Sequence, residues 1–193
     1  MVPERYCVID VETTGFSPAA DRIVEVGCAL VDGDRVAGAW ATLVNPGISI
    51  PAAATAVHGI TDEMVAGAPD LGWALERAGR LCRNRVVAAH CAGFDLSFVG
   101  TRVAGEALCT MRLARVLIPE APNHKNQTLR RFLEIDRVAG AQRAHRALGD
   151  AIVTAHILLA CRRRFRICRC GESWTRFVRH NGLMVVRRGS IAS

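Results

Sequence analysis

No apolar run in this 193-residue chain approaches the roughly 20 residues needed to cross a bilayer, which excludes a membrane-spanning helix. The first residues, MVPERYCVIDVETTG, lack a basic segment followed by a greasy one. No secretory signal is read there, and the cytoplasm is the expected compartment. Without export, the eight cysteines are expected to stay reduced. Five of them (Cys7, Cys28, Cys82, Cys91 and Cys109) sit among apolar neighbours and read as small core residues. Internal repeats and long low-complexity segments are also missing, which excludes a repeat array.

The body of the chain lacks net charge, although the whole carries +7. Residues 161–193 hold nine arginines against one acid, Glu172, while the remaining 160 residues carry 16 basic and 17 acidic side chains. A polyanionic partner is therefore suggested by the tail alone. Half of the residues are apolar, and the length suits one domain with a real hydrophobic core.

Residues 5–11, RYCVIDV, read as a buried strand, 23–32 as a second and 36–45 as a third, with a hairpin turn at DGD. Pro46 and Pro51 bracket a loop, and Thr61 before Asp62 and Glu63 signals a helix start. Leu71 to Cys82 has helical spacing, and 86–90 returns to a strand. Helices are expected at about 95–104, 112–118, 127–134 and 146–162. Strands in series followed by helices alternating with short strands predict an α/β fold, a mixed central sheet flanked by helices.

At the end of the first strand stand Asp10 and Glu12. Residues two apart on a strand share a face, so two carboxylates lie side by side and repel unless a cation separates them. Solvated acids at a strand end would look the same. Asp95, in AHCAGFD, follows a strand that breaks at Gly93, and a helix-capping role is equally open to it. In HRALGDA, His145 precedes a helix and Asp150 falls in its first turns. Four acids and one histidine thus lie at the ends of expected elements. Such hard oxygen donors suit Mg²⁺ or Mn²⁺ rather than zinc. Two divalent ions could neutralise them and stabilise the attacking and leaving oxygens of an in-line phosphoryl displacement. A histidine is suited to act as base for the attacking water at neutral pH.

DVETTG, AHCAGFD and HRALGDA, in this order, closely resemble the three motifs of the DEDD exonucleases, and the five-residue step from histidine to aspartate matches the DEDDh branch. The segments DRIVEVGCALVDGDRV, VNPGISIP and VHGITDEMV are similar to the proofreading type, typified by the epsilon subunit of bacterial DNA polymerase III. The resemblance spans roughly residues 5–160. It implies a ribonuclease H-like exonuclease fold and removal of nucleoside 5′-monophosphates from a 3′ end of single-stranded or mismatched DNA. It implies that Asp10 bridges two ions, that Glu12 and Asp150 support them, and that Asp95 holds the second directly or through water. His145 would deprotonate or orient the attacking water. The main chain at Thr13 would meet the terminal 3′-hydroxyl, with Gly15 turning the backbone without a Cβ. Thr14 and Phe94 would adjoin the substrate, and His58 and Ile60 would line the pocket for the last nucleotide. Cys91 stands where the family usually has Asn, a departure that bears on packing or substrate contact, and His90 reads as structural.

Residues 1–162 are accordingly read as the exonuclease domain and 163–193 as an arginine-rich extension, either a strand-and-turn segment or a flexible tail. Arginines interleaved with Phe165, Trp174 and Phe177 suit contact with nucleic-acid backbone and bases, and a solvated or protein-bound extension fits equally. Cys161, Cys168, Cys170 and His180 do not match a common zinc module. Three functional classes follow: a DNA exonuclease, free-standing or beside a DNA polymerase subunit; an exoribonuclease on short RNA or RNA 3′ ends; and a silent polymerase-binding module. The presence of all five catalytic residues disfavours the last, and the segments around HGIT favour the first.

Overall fold

A computed structural model of the chain describes residues 5–137, 145–168 and 171–185. Strands β1 (Arg5–Thr13), β2 (Ile23–Asp32) and β3 (Arg35–Leu43) form an antiparallel meander. Gly33 takes the left-handed φ of 62° that the tight β2–β3 turn requires. Next come α1 (Ala52–His58), α2 (Asp62–Val65), α3 (Leu71–Cys82), β4 (Val86–Ala89) and α4 (Ala92–Val99). The chain continues through β5 (Glu106–Cys109), α5 (Thr110–Leu117), α6 (Asn126–Phe132), α7 (Ala147–Cys168), α8 (Trp174–Asn181) and β6 (Leu183–Val185). The sheet runs β3-β2-β1-β4-β5-β6, with β4 and β5 parallel to β1 and the other pairings antiparallel. The expected mixed sheet between helices is what the chain builds.

Alternation along β1 divides the core. Tyr6 and Val8 face α7 in one cluster, with Ala29 and Val31 of β2. Cys7, Ile9 and Val11 face α3 and α4 in the other, with Val26 and Cys28. Asp10 and Glu12 continue the first series and so emerge on the α7 face, at the end of the strand. β2 is buried along most of its length because it lies between two neighbours, whereas β3, at the sheet edge, is only partly covered.

Expected and observed elements differ most after residue 160. α7 continues to Cys168, past the 162 limit, because Cys161, Arg162 and Phe165 lie on its buried side. The Arg162 guanidinium lies 5.2 Å from the centre of the Tyr6 ring and donates to the Gly33 carbonyl. Arg166 grips Asp34 with two bonds of 2.8 and 3.0 Å, and Arg164 pairs with Glu120. Phe165, Trp174 and Phe177 are buried in one ring cluster at centroid distances of 5.0–5.9 Å. The Trp174 indole donates to the Tyr6 hydroxyl at 3.0 Å. Of the two readings of the tail, the protein-bound one fits here: the three aromatic residues are core residues, and these three arginines bind the protein itself. β6 then adds a strand beside β5. Cys170, one of the residues weighed for zinc, lies outside the described residues.

Candidate active site

β1 carries Asp10-Val11-Glu12 just before its last residue, Thr13, and α7 brings Asp150 to the same face. Carboxylate oxygens of Asp10, Glu12 and Asp150 lie within 4.8 Å of one another. Asp95, buried in the first turn of α4, is not one of these three but lies close enough for its charge to act on Asp10. Burial raises the pKa of Asp10, and the nearby charges of Asp95, Asp150, Glu12 and Glu25 raise it further. Glu12 is pushed up to about 8 by burial and then by Asp150. Burial lifts Asp95 to about 7, against the N–H groups of Asp95 itself and of Val11. Asp150 is raised by burial, while His145 pulls it back down. Four carboxylates held in this way are reluctant to be anions together.

His145 has an exposed side chain and a left-handed backbone, φ 55°, which is strained for a residue with a Cβ. Its N–H donates to Asp150 Oδ2 at 3.1 Å, closing the five-residue step into a turn. The other oxygen of Asp150 accepts from Gln127 of α6 at 2.6 Å, and Arg130 donates to Gln127 Oε1 at 3.1 Å. Gln127 and Arg130 were not singled out from sequence, where nothing marks them apart from other helix-surface polar residues. Glu25 is a second omission: buried on β2, it binds Arg146 and the start of α7. A single acid inside the apolar strand IVEVGCALVD was the available signal.

Beside the carboxylates lies a cavity of about 290 Å³, bounded by Glu12, Thr13, Thr14, Gly15, His58 and Phe94 together with Phe16, Pro51, Ala54 and Val57. Thr13 is fixed by donating its hydroxyl to the Gly15 carbonyl at 2.6 Å, and Thr14 by donating to Asp21 at 3.1 Å. A Cβ at Gly15 would stand 2.5 Å from the Asp21 carboxylate, which would have to shift from its bonds to Thr14 and Ser17. His58 Nδ1 accepts the Ile60 N–H at 3.0 Å, and burial lowers its pKa. The neutral ring therefore carries its proton on Nε2, and the Thr13 main chain beside the ring opposes the effect of burial. Ile60 itself does not reach the cavity. It is fully buried with Val24, Ile50 and Val65, and contributes by orienting His58 through its backbone.

Phe16, passed over in the sequence, is 89% exposed at the cavity mouth, 6.3 Å from the Phe94 ring. Cys91 is exposed at the start of α4, its carbonyl accepting the Phe94 N–H. His90 is structural, as expected: Nε2 donates to the His124 carbonyl at 2.8 Å, Nδ1 meets the Thr110 hydroxyl at 2.9 Å, and burial holds its pKa at about 4.

A sheet carrying acids near the end of its first strand, with a helix on each face supplying one more, is an arrangement able to hold divalent cations. Residues 7–158 match the exonuclease family model RNase_T, and the chain belongs to that family. An epsilon-like DNA polymerase III subunit from Rhodobacter capsulatus is 40% identical over 164 residues, covering 80% of this chain and 23% of that protein. A PolC-type DNA polymerase III from Caldanaerobacter subterraneus is 34% identical over 161 residues, covering 80% of this chain and 11% of the relative. The chain thus spans under a quarter of the length of these two relatives. Among solved structures, exonuclease X in complex with 5′-overhanging duplex DNA superimposes with a TM-score of 0.69 at 27% identity, covering 90% of this chain and 98% of the other. The resemblance to DEDDh exonucleases is borne out at the level of family and fold.

Proposed function

We propose that the chain is a cytoplasmic 3′-to-5′ exonuclease that hydrolyses terminal phosphodiester bonds of single-stranded or mismatched DNA, releasing nucleoside 5′-monophosphates, in the setting of polymerase proofreading. The observation that carries this reading is the meeting of Asp10, Glu12 and Asp150 beside the apolar cavity, with His145 tied to Asp150. The donors are all carboxylate oxygens, crowded enough to raise one another's pKa, and such a set fits hard divalent cations, Mg²⁺ or Mn²⁺. Asp10, Glu12, Asp150 and Asp95 would hold the ions. Bound ions supply charge stabilisation to the attacking and leaving oxygens.

The protein's own residues do the remainder. The terminal nucleotide enters the cavity against Phe94 and His58, with Phe16 at the mouth, and the apolar walls accept any base. Thr13 and Gly15 present main chain toward the 3′-hydroxyl. His145 accepts the proton of the attacking water, a task open to an exposed imidazole tied to Asp150. The likeness to proteins named for DNA polymerase III supports DNA rather than RNA as the substrate. Digestion of matched 3′-labelled DNA and RNA strands tests this. The expected result is mononucleotide release from DNA at the higher kcat/KM; faster release from RNA would reassign the substrate, and no release from either would remove the activity.

A further inference from the structure

Glu25 sits inside the sheet, between Glu12 of β1 and Leu43 of β3, with its side chain almost fully buried. A lone carboxylate at such a place costs several kcal/mol unless it is paired and hydrogen-bonded. Among the described residues, its side-chain bonds go to one short stretch 121–122 residues away. Arg146 donates Nε to Oε2 at 3.0 Å and Nη2 to Oε1 at 2.6 Å, and the Ala147 N–H donates to Oε2 at 2.8 Å. Glu25 therefore caps the first turn of α7 from another element while holding the side chain of the residue just before it. Gly27, two positions along the same face, lets the helix start lie directly on β2.

The stretch gripped in this way adjoins His145 and its left-handed turn. Asp150 secures that turn from the inside through the His145 N–H, and Glu25 secures it from the sheet. A buried ion pair is a poor device for stability, since apolar residues of similar volume serve as well or better. A bidentate arginine instead fixes direction, which is what a turn carrying a general base requires.

We propose that Glu25 is a positioning residue for the hydrolytic step: by gripping Arg146 and capping Ala147 it sets the placement of the His145 ring over the site. This rests on the reading of His145 as the base. Neither Glu25 nor Arg146 belongs to the proposed ion-binding set, but both charges act on Glu12, so rates are compared at saturating Mn²⁺, where a change in ion affinity does not register.

The test is a cycle of single-turnover rates on a 3′-labelled DNA strand for wild type, Glu25→Gln, His145→Ala and the double variant. Glutamine keeps the shape and one acceptor but loses the charge. Glu25→Gln is expected to lower the rate about 10- to 100-fold with KM little changed. In the His145→Ala background the same change is expected to have almost no effect, because the group it positions is gone. A purely structural role would give the same factor in both backgrounds, and that result overturns the proposal, as does a wild-type rate for Glu25→Gln. Should Glu25→Gln fail to fold, Arg146→Lys, which keeps the charge and loses the two-pronged grip, takes its place in the cycle. A rate loss confined to the His145 background then supports the proposal, and an equal loss in both backgrounds overturns it. Failure of the underlying reading shows separately, as a wild-type rate for His145→Ala alone.

Discussion

Gly27→Ala puts the packing of α7 on the sheet to a quantitative test. Alanine meets no backbone strain at this strand position, so its effect is purely steric. A Cβ at residue 27 would lie 2.4 Å from the carbonyl carbon and oxygen of Ala147 and 2.6 Å from the Leu148 nitrogen. Non-bonded carbon contacts settle at about 3.5 Å, so the start of α7 must withdraw by roughly 1 Å. Overpacking of this kind costs about 1–3 kcal/mol. For a chain of this size that lowers Tm by roughly 2–12 °C. The larger effect is expected on catalysis, because Gly27 pairs with Asp10 and the displaced turn carries His145. A misplacement near 1 Å lowers kcat by about 100-fold. Gly38→Ala on β3 is the control, since its Cβ would meet only Leu30 Cδ1, at 3.8 Å. Steady-state kinetics and thermal unfolding of the two variants side by side decide the matter. If Gly27→Ala matches Gly38→Ala in both measurements, the close approach of helix to strand has no functional weight.

Metal-free protein is expected to lose stability as pH rises from 6.5 to 8. Glu12 and Asp95 have folded pKa values of about 8 and 7, above their unfolded values, so their contribution is present at low pH and is lost as pH passes through the folded values. The decline is on the order of 1–2 kcal/mol, and denaturant melts should show it reduced in Glu12→Gln and offset by added Mn²⁺; an equal decline in both proteins refutes the assignment. Trp174→Ala is expected to cost about 3–5 kcal/mol of stability while leaving the salt dependence of single-strand binding unchanged, because the ring is buried against Phe165 and Phe177. A stable variant with weakened DNA binding would return the aromatic residues of the tail to the nucleic-acid surface.

Much of the site is legible in sequence because each acid marks the end of an element: Asp10 and Glu12 close a buried strand, and Asp95 and Asp150 fall in first helical turns. Strand parity alone puts Asp10 and Glu12 on one face. Less legible is whatever depends on a distant partner. Glu25 and Arg146 are ordinary charges until the sheet brings them together, and Gln127 is an ordinary helix residue until α6 lies beside Asp150. Ile60 sits next to the pocket residue His58 in sequence but points into the core. The tail stays ambiguous in sequence for a related reason: nothing near Arg162 and Arg166 in the chain shows that the β2–β3 turn supplies Gly33 and Asp34 as their partners.

The central claim is that Asp10, Glu12, Asp95 and Asp150 form one ion-dependent site that removes nucleotides from a 3′ end. The direct measurement is mononucleotide release from a 3′-labelled single strand by wild type and Asp10→Asn, with Mn²⁺ and with chelator. Wild type should release 5′-monophosphates from the labelled end only when the ion is present, and Asp10→Asn should release essentially none. Release that survives chelator, or an Asp10→Asn variant working at the wild-type rate, would contradict it.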